Sequence, residues 1–382
     1  MNQDILRCGK AVCLILGRAV AEHSSLPEDL PDIEQAAAFC KAQRLHALYA
    51  SAVSLCRTIP DDYRPLIAHG LQQVAAQMKI DATENALSKC FTEAGIRHIV
   101  LKGSHTRSFY PPSLSRTSAD IDWQVDPADA ARADAVLSAQ GWICKSANAD
   151  ERCYEKAPRT RLELHLTPEG FHDTQKRVIQ TMFDRAVAVD GMRFQLTDSD
   201  AYIYAVFHLY KHFVLAGAGV RMFLDVYAME KHAALERSYI DEILTALQCA
   251  GFEKRVREIN AVLFEEAISN TETEPLVRYI FASQAYGVAS AQLALESVNT
   301  TLTNASVSKR FLRNYGFDMP SMQTRYPRLR HAKWLYPFCA LHRVCNGLRF
   351  RRLMLQQALD NHQQSRRHRD DLAHILRLAD IL

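Results

Sequence analysis

The chain has 382 residues, of which 48% are hydrophobic and 23% are charged. This composition excludes a mainly disordered protein, and the length exceeds the roughly 250–300 residues at which one hydrophobic core stops growing. The formal net charge is +3, yet residues 309–382 hold fifteen Lys or Arg against five Asp or Glu. This basic tail fits either an anionic partner or a helical layer whose arginines are solvated or paired.

The ten cysteines are widely spaced and form no Cys-x-x-Cys pair, so we expect reduced thiols. The first residues lack the basic start of a secretory signal. The longest apolar run near the tail, residues 334–341, is far shorter than the ~20 residues that a bilayer requires. We therefore expect a cytoplasmic protein without a membrane span.

Apolar residues recur at helical spacing up to about residue 95, which predicts an all-helical leader over residues 1–84. Short β-branched runs then predict strands at residues 99–101 and 121–125. A helical pattern over residues 127–140 follows, and alternating residues predict two more strands at 152–156 and 161–167.

From residue 196 onwards the pattern is again helical. We predict an α+β protein with a small mixed-sheet head at residues 85–195, flanked by the helical leader and by a helical C-terminal domain with the basic tail at residues 196–382. The head is the predicted site of the chemistry.

Two carboxylates lie two residues apart in the second predicted strand. Asp120 and Asp122 leave the same face of that strand, roughly 6 to 7 Å apart at the backbone. Such a pair can hold two divalent ions ~3.5 to 4 Å apart, as phosphoryl transfer requires. Glu163 lies on the polar face of a later strand and is the candidate third ligand. Oxygen ligands suit Mg²⁺.

The first predicted strand ends at Lys102-Gly103-Ser104. The glycine lets a phosphate approach the backbone, the hydroxyl of Ser104 can donate to it, and Lys102 carries the opposite charge. The tripeptide is a weak signal alone. Its position ahead of Asp-Ile-Asp, which lies in a second β-run, makes a phosphate site the better interpretation.

The motif residues follow one another in a fixed order: Leu101-Lys102-Gly103, Tyr110, Arg116, Asp120-Ile121-Asp122 and Glu163-Leu164-His165. In this order the stretch from about residue 85 to residue 166 resembles the polymerase-beta-type nucleotidyltransferase superfamily. More narrowly, it is similar to a bacterial family of uncharacterised nucleotidyltransferases.

The resemblance implies roles for individual residues. Asp120, Asp122 and Glu163 would be catalytic metal ligands for two Mg²⁺ ions, with Mn²⁺ as an alternative, and Glu163 could also act as the base. Gly103 and Ser104 would contact the triphosphate of ATP or another nucleoside triphosphate. Lys102 and Arg116 would meet phosphate charge, although Arg116 could instead pair with Asp120.

A later predicted helix carries a further polar cluster. His208, Lys211 and His212 share one helix face and echo a pattern of the same family, so we predict that they line the nucleotide pocket. The alternative is a surface cluster that packs against another helix.

The expected reaction moves a nucleoside monophosphate from a nucleoside triphosphate to a hydroxyl and releases pyrophosphate. The acceptor is open among a small molecule, a protein and an RNA. Two other hypotheses remain. One is a catalytically inactive nucleotide-binding or protein-interaction module with the same fold, and the other is a transition-metal hydrolase that uses His165, His208 and His212.

Overall fold

The computed structural model describes residues 3–285 except 25, 28, 158 and 159, some residues between 319 and 342, and residues 369–381. Most of the predicted basic tail therefore lies outside the described residues. The described part is an α+β fold with a mixed sheet, which confirms the predicted fold class. None of its helices is long and apolar enough to cross a membrane.

The chain begins with the predicted helices. They are α1 (Gln3–Val20), α2 (Ile33–Gln43), α3 (His46–Val53) and α4 (Arg64–Glu93). The Asp32 carboxylate caps α2 by accepting from the backbone N–H of Gln35 at 3.0 Å. Helix α4 has 30 residues and runs past residue 84, so the predicted boundary between leader and head falls inside a continuous helix. The three-domain division stays a prediction.

A seven-stranded mixed sheet follows α4 in the described part of the chain. Its strands are β1 (His98–Val100), β2 (Asp120–Val125), β3 (Ile143–Ala147), β4 (Glu151–Lys156), β5 (Thr160–His165), β6 (Val187–Asp190) and β7 (Arg193–Gln195), in the spatial order β3-β4-β5-β2-β1-β7-β6. The central strand β2 pairs antiparallel with β1 and parallel with β5.

The remaining helices lie between the strands in the chain or follow the last of them. They are α5 (Ser104–Arg107), α6 (Ala130–Ala139), α7 (Asp173–Asp184), α8 (Asp198–Leu215), α9 (Val220–His232), α10 (Arg237–Ala246), α11 (Ala250–Phe264), α12 (Thr273–Ala282) and α13 (Arg369–Leu378). Strands β3, β6 and β7 and helix α7 were not predicted. The side chains of β3 and β6 are exposed throughout, so these strands lack the alternation of a half-buried strand.

The sheet separates two hydrophobic clusters. Ile121, Trp123 and Val125 of β2 pack on one face with residues of α4 and α6. The intervening residues of β2, which include Asp120 and Asp122, point to the opposite face. The larger cluster contains residues of the flanking helices, α8 among them. The alternation of β2 therefore aims its carboxylates away from the Trp123 core.

A buried ion pair anchors the loop between α5 and β2. Arg116 is only 7% exposed, and its Nε and Nη2 atoms donate to the two carboxylate oxygens of Asp225 on α9, both at 2.9 Å. The Tyr110 hydroxyl donates to the same carboxylate at 2.7 Å, and Arg116 Nη1 donates to the Gly103 carbonyl at 3.5 Å. Arg116 thus connects the glycine turn to α9.

Replacing Asp225 by Asn should destabilise the protein by about 3–5 kcal/mol, because it leaves the buried guanidinium of Arg116 without its counter-charge. Urea denaturation followed by tryptophan fluorescence measures the change. The matched control is Asp241→Asn, which removes an exposed carboxylate of α10 and should leave the unfolding curve unchanged. Equal stability of the two variants would contradict a stabilising role for the pair.

Candidate active site

The parallel pairing of β2 with β5 brings the predicted carboxylates together. Asp122 lies opposite Glu163 in the ladder. Asp122, Glu163 and His165 each offer one ligand atom, and these atoms lie within 4.8 Å of one another. Asp122 and Glu163 therefore lie on one face of the sheet, close enough to share a ligand. Asp120 lies two residues before Asp122 and on the same face of β2.

Negative charge is crowded on this face. Burial raises the pKa of Glu163, and the nearby carboxylates of Asp122 and Asp120 raise it further. Burial and Asp122 likewise raise the pKa of Asp120. Burial also acts to raise the pKa of Asp122, but Lys102 and His165 outweigh it and hold that pKa well below its usual value. Asp122 is therefore ionised, and its two acidic neighbours ionise less readily than free carboxylates.

The glycine turn lies directly beside these carboxylates. The backbone N–H of Leu101 donates to the Asp122 carbonyl at 3.0 Å, so the turn that follows β1 lies next to β2. Gly103 has φ 66° and ψ −108°, a conformation that side-chain-bearing residues rarely adopt. Lys102 Nζ lies 3.1 Å from Asp122 Oδ1 and 3.4 Å from His208 Nε2. The lysine predicted to meet phosphate thus contacts a predicted metal ligand.

Helix α8 brings two of its three predicted residues into contact with the site through Glu169. Lys211 Nζ lies 2.7 Å from Glu169 Oε2, and His208 Nδ1 lies 3.4 Å from the same oxygen. The third, His212, has its ring centroid 4.5 Å from that of His208. Burial and Lys102 lower the pKa of His208 to about 4, so this imidazole is neutral near neutral pH.

Glu169 was missed by the sequence analysis. It follows Pro168 in the segment between β5 and α7, where neither strand nor helix periodicity indicates which way a side chain points. Burial acts to raise the pKa of Glu169, but His208 and Lys211 hold it well below its usual value. The one available signal was the positive charge of Lys211 on that helix face, which calls for a counter-charge.

Ser104 and Arg116 contact other protein groups. The Ser104 hydroxyl donates to Glu84 Oε1 at 3.0 Å and accepts from Arg193 at 3.1 Å. Arg116 pairs with Asp225, as described above, and this pairing replaces the alternative partner Asp120. Contacts of Ser104 and Arg116 with phosphate stay a prediction.

The donor set fits a divalent ion. Carboxylate oxygens of Asp122 and Glu163 are ligands that Mg²⁺ and Mn²⁺ accept. Beside them, the Nε2 atom of His165 is buried and has no hydrogen-bond partner in the described part of the chain. An excess of negative charge and an unpaired buried nitrogen at one place are features of a metal site.

Comparison with known proteins identifies a family. A family model described as uncharacterised nucleotidyltransferase matches residues 29–265. A search of curated proteins and a search of solved structures found no match. The matched residues include the whole sheet, the glycine turn and helices α8 and α9, so they contain all the residues discussed above. Because the match covers more than half of the sequence, the chain belongs to this family of uncharacterised nucleotidyltransferases.

Proposed function

We propose that the protein is a metal-dependent nucleotidyltransferase that moves a nucleoside monophosphate from a nucleoside triphosphate to a hydroxyl and releases pyrophosphate. The observation that carries the proposal is the pairing of Asp122 with Glu163 across β2 and β5, on the face that also bears Asp120. This acidic face lies beside the Gly103 turn. Family membership supports nucleotidyl transfer in general.

Asp120, Asp122 and Glu163 would hold the two ions, Mg²⁺ or Mn²⁺. Bound there, such ions lower the pKa of an attacking hydroxyl and neutralise charge on the triphosphate and on the leaving pyrophosphate. Glu163 is also suited to accept the proton of the acceptor hydroxyl, because its pKa is raised by burial and by the neighbouring carboxylates. Gly103 is buried and carries no side chain, so a phosphate would reach this turn only by close approach to the backbone.

Lys102 would change partner during the reaction. Without a bound ion its ammonium group neutralises Asp122, at 3.1 Å. If Asp122 held a metal ion, the same ammonium group would become available for a phosphate oxygen. His208, which is neutral, lies 3.4 Å from Lys102 Nζ and can accept a hydrogen bond from it in either position. Lys102 thereby links metal occupancy to triphosphate binding.

A second candidate function is an inactive nucleotide-binding or protein-interaction module. The ion pair of Lys102 with Asp122 favours it, because a protein ammonium group already satisfies a predicted metal ligand. The two candidates differ in product formation.

The deciding experiment is incubation of the protein in a cell lysate with Mg²⁺ or Mn²⁺ and each of the four α-³²P-labelled nucleoside triphosphates. Label is then separated into RNA, protein and small-molecule fractions. Transfer into one fraction supports the enzyme and identifies the class of acceptor. Triphosphate binding by calorimetry with no labelled product in any fraction supports the inactive module.

Replacing Asp122 by Asn should lower the transfer rate by about a thousandfold or more, equivalent to ~4 kcal/mol, because it removes the charge that holds a catalytic ion. The assay is the labelled transfer described above, with circular dichroism as the check on folding. Glu155→Gln is the matched control, since Glu155 is an exposed carboxylate of the same sheet that pairs with Lys145. Activity retained by Asp122→Asn would refute the proposed site.

Replacing Lys102 by Gln should raise the KM for the triphosphate about 10- to 100-fold, as expected for the loss of one charge-assisted hydrogen bond to phosphate. Steady-state kinetics against triphosphate concentration measure it. Lys145→Gln is the control, because this lysine is exposed and pairs with Glu155. An unchanged KM would show that Lys102 does not contact the triphosphate.

A further inference from the structure

His165 lies at the centre of the acidic face, and its Nε2 atom lacks a partner. It follows Glu163 by two residues on β5, so both side chains leave the same face of the strand. His165 Nε2 is 3.6 Å from Asp122 Oδ1, and it is buried without a hydrogen-bond partner in the described part of the chain. A buried polar atom without a partner is costly unless a ligand satisfies it.

The other ring nitrogen of His165 faces a second carboxylate. His165 Nδ1 lies 3.9 Å from Glu169 Oε1, while Glu169 Oε2 is held by Lys211 and His208. Histidines that bind metal ions usually direct their second nitrogen to a carboxylate, which fixes the ring orientation and leaves the first nitrogen free to coordinate. The Glu169 and His165 pair has this arrangement, and the free nitrogen points to Asp122.

The distances are close to those that a shared ion requires. Two ligand atoms, each ~2.1 Å from one octahedral ion, are about 3.0 Å apart when adjacent and about 4.2 Å apart when opposite. The 3.6 Å between His165 Nε2 and Asp122 Oδ1 lies between these values. Glu163 completes a set whose ligand atoms lie within 4.8 Å of one another. Coordination would therefore need only small side-chain movements.

A neighbouring trio shows the contrast. Glu151, Cys153 and Glu163 also bring three potential ligand atoms within 4.8 Å. The Cys153 thiol, however, already donates to Glu151 at 3.1 Å. Burial and Glu151 raise the pKa of Cys153, which disfavours the thiolate that would bind a metal ion. Only the trio with His165 presents an unpartnered buried atom.

We propose that His165 Nε2 is a direct ligand of the ion shared by Asp122 and Glu163, which gives the site a higher affinity for Mn²⁺ than for Mg²⁺. The inference rests on the metal site of the proposed function. Mg²⁺ takes oxygen ligands almost exclusively, whereas imidazole nitrogen is a good ligand for transition metals. One nitrogen among carboxylate oxygens therefore shifts the preference towards the transition metal.

The test is pulsed electron paramagnetic resonance of Mn²⁺ bound to the full chain. The expected result is nitrogen modulation from a coordinated imidazole. When all histidines carry ¹⁵N, the ¹⁴N modulation should be replaced by that of the ¹⁵N nucleus. In His165→Gln this modulation should disappear, and the Kd for Mn²⁺ should rise about tenfold or more. The ratio of the Mg²⁺ Kd to the Mn²⁺ Kd should fall in the same variant.

The matched control is His208→Gln, which alters the imidazole on the other side of Glu169 and should keep the nitrogen modulation. Modulation that survives in His165→Gln, or that disappears only in His208→Gln, overturns the inference. The wild-type spectrum decides the question even where a variant fails to fold, since bound Mn²⁺ without nitrogen modulation excludes an imidazole ligand.

The failures of the two proposals are distinguishable. Transfer activity with Mn²⁺ and no nitrogen modulation would remove His165 from the ligand set and leave the nucleotidyltransferase proposal intact. Failure of both Mn²⁺ and Mg²⁺ to bind would overturn both proposals.

Discussion

Asp122 is 4% exposed, and Lys102 Nζ lies 3.1 Å from it. Taking a carboxylate out of water costs several kcal/mol unless a counter-charge and hydrogen bonds compensate. Lys102 supplies that counter-charge for Asp122, and Lys211 does so for the buried Glu169. Glu163 pairs with Arg161 at 2.9 Å, and Asp120 adds a further negative charge to the same face. Burial raises the pKa of Asp120 and of Glu163, and repulsion from the neighbouring carboxylates raises both further. This imbalance is the physical reason why the face should attract cations.

The core on the other side of the sheet keeps the aspartates of β2 on this acidic face. Trp123 directly follows Asp122 on β2 and is fully buried. Its indole N–H donates to Glu84 of α4 at 3.1 Å. A shift of β2 by one residue would bury the aspartates in that core and expose the tryptophan, so the register is strongly fixed. Glu84 also accepts from Ser104 at the start of α5. One buried glutamate therefore joins α4, strand β2 and the glycine turn.

The parts that could be predicted from sequence depend on local periodicity. Asp120 and Asp122 share one face of β2 because of the two-residue repeat of strands. The position of Asp122 opposite Glu163 depends in addition on the parallel register of β2 and β5. The pairing of Arg116 with Asp225 and of Lys211 with Glu169 could not be predicted, because the partners are far apart in sequence and lie in loops or on other elements. Local patterns specify which way a side chain points, whereas long-range packing decides which charge it meets.

Glu169 connects the two halves of the site. Its Oε1 faces His165 on the acidic side of the sheet, and its Oε2 contacts Lys211 and His208 on α8. His208 in turn lies 3.4 Å from Lys102, which contacts Asp122. These contacts form a closed ring. It runs from Asp122 to Lys102, His208, Glu169 and His165, and from His165 back to Asp122. Because these groups form one continuous series of close neighbours, a cation bound at Asp122 would change the electrostatic surroundings of every other member. Metal binding on the sheet, as proposed, would therefore alter the charges beside α8 through this series of contacts.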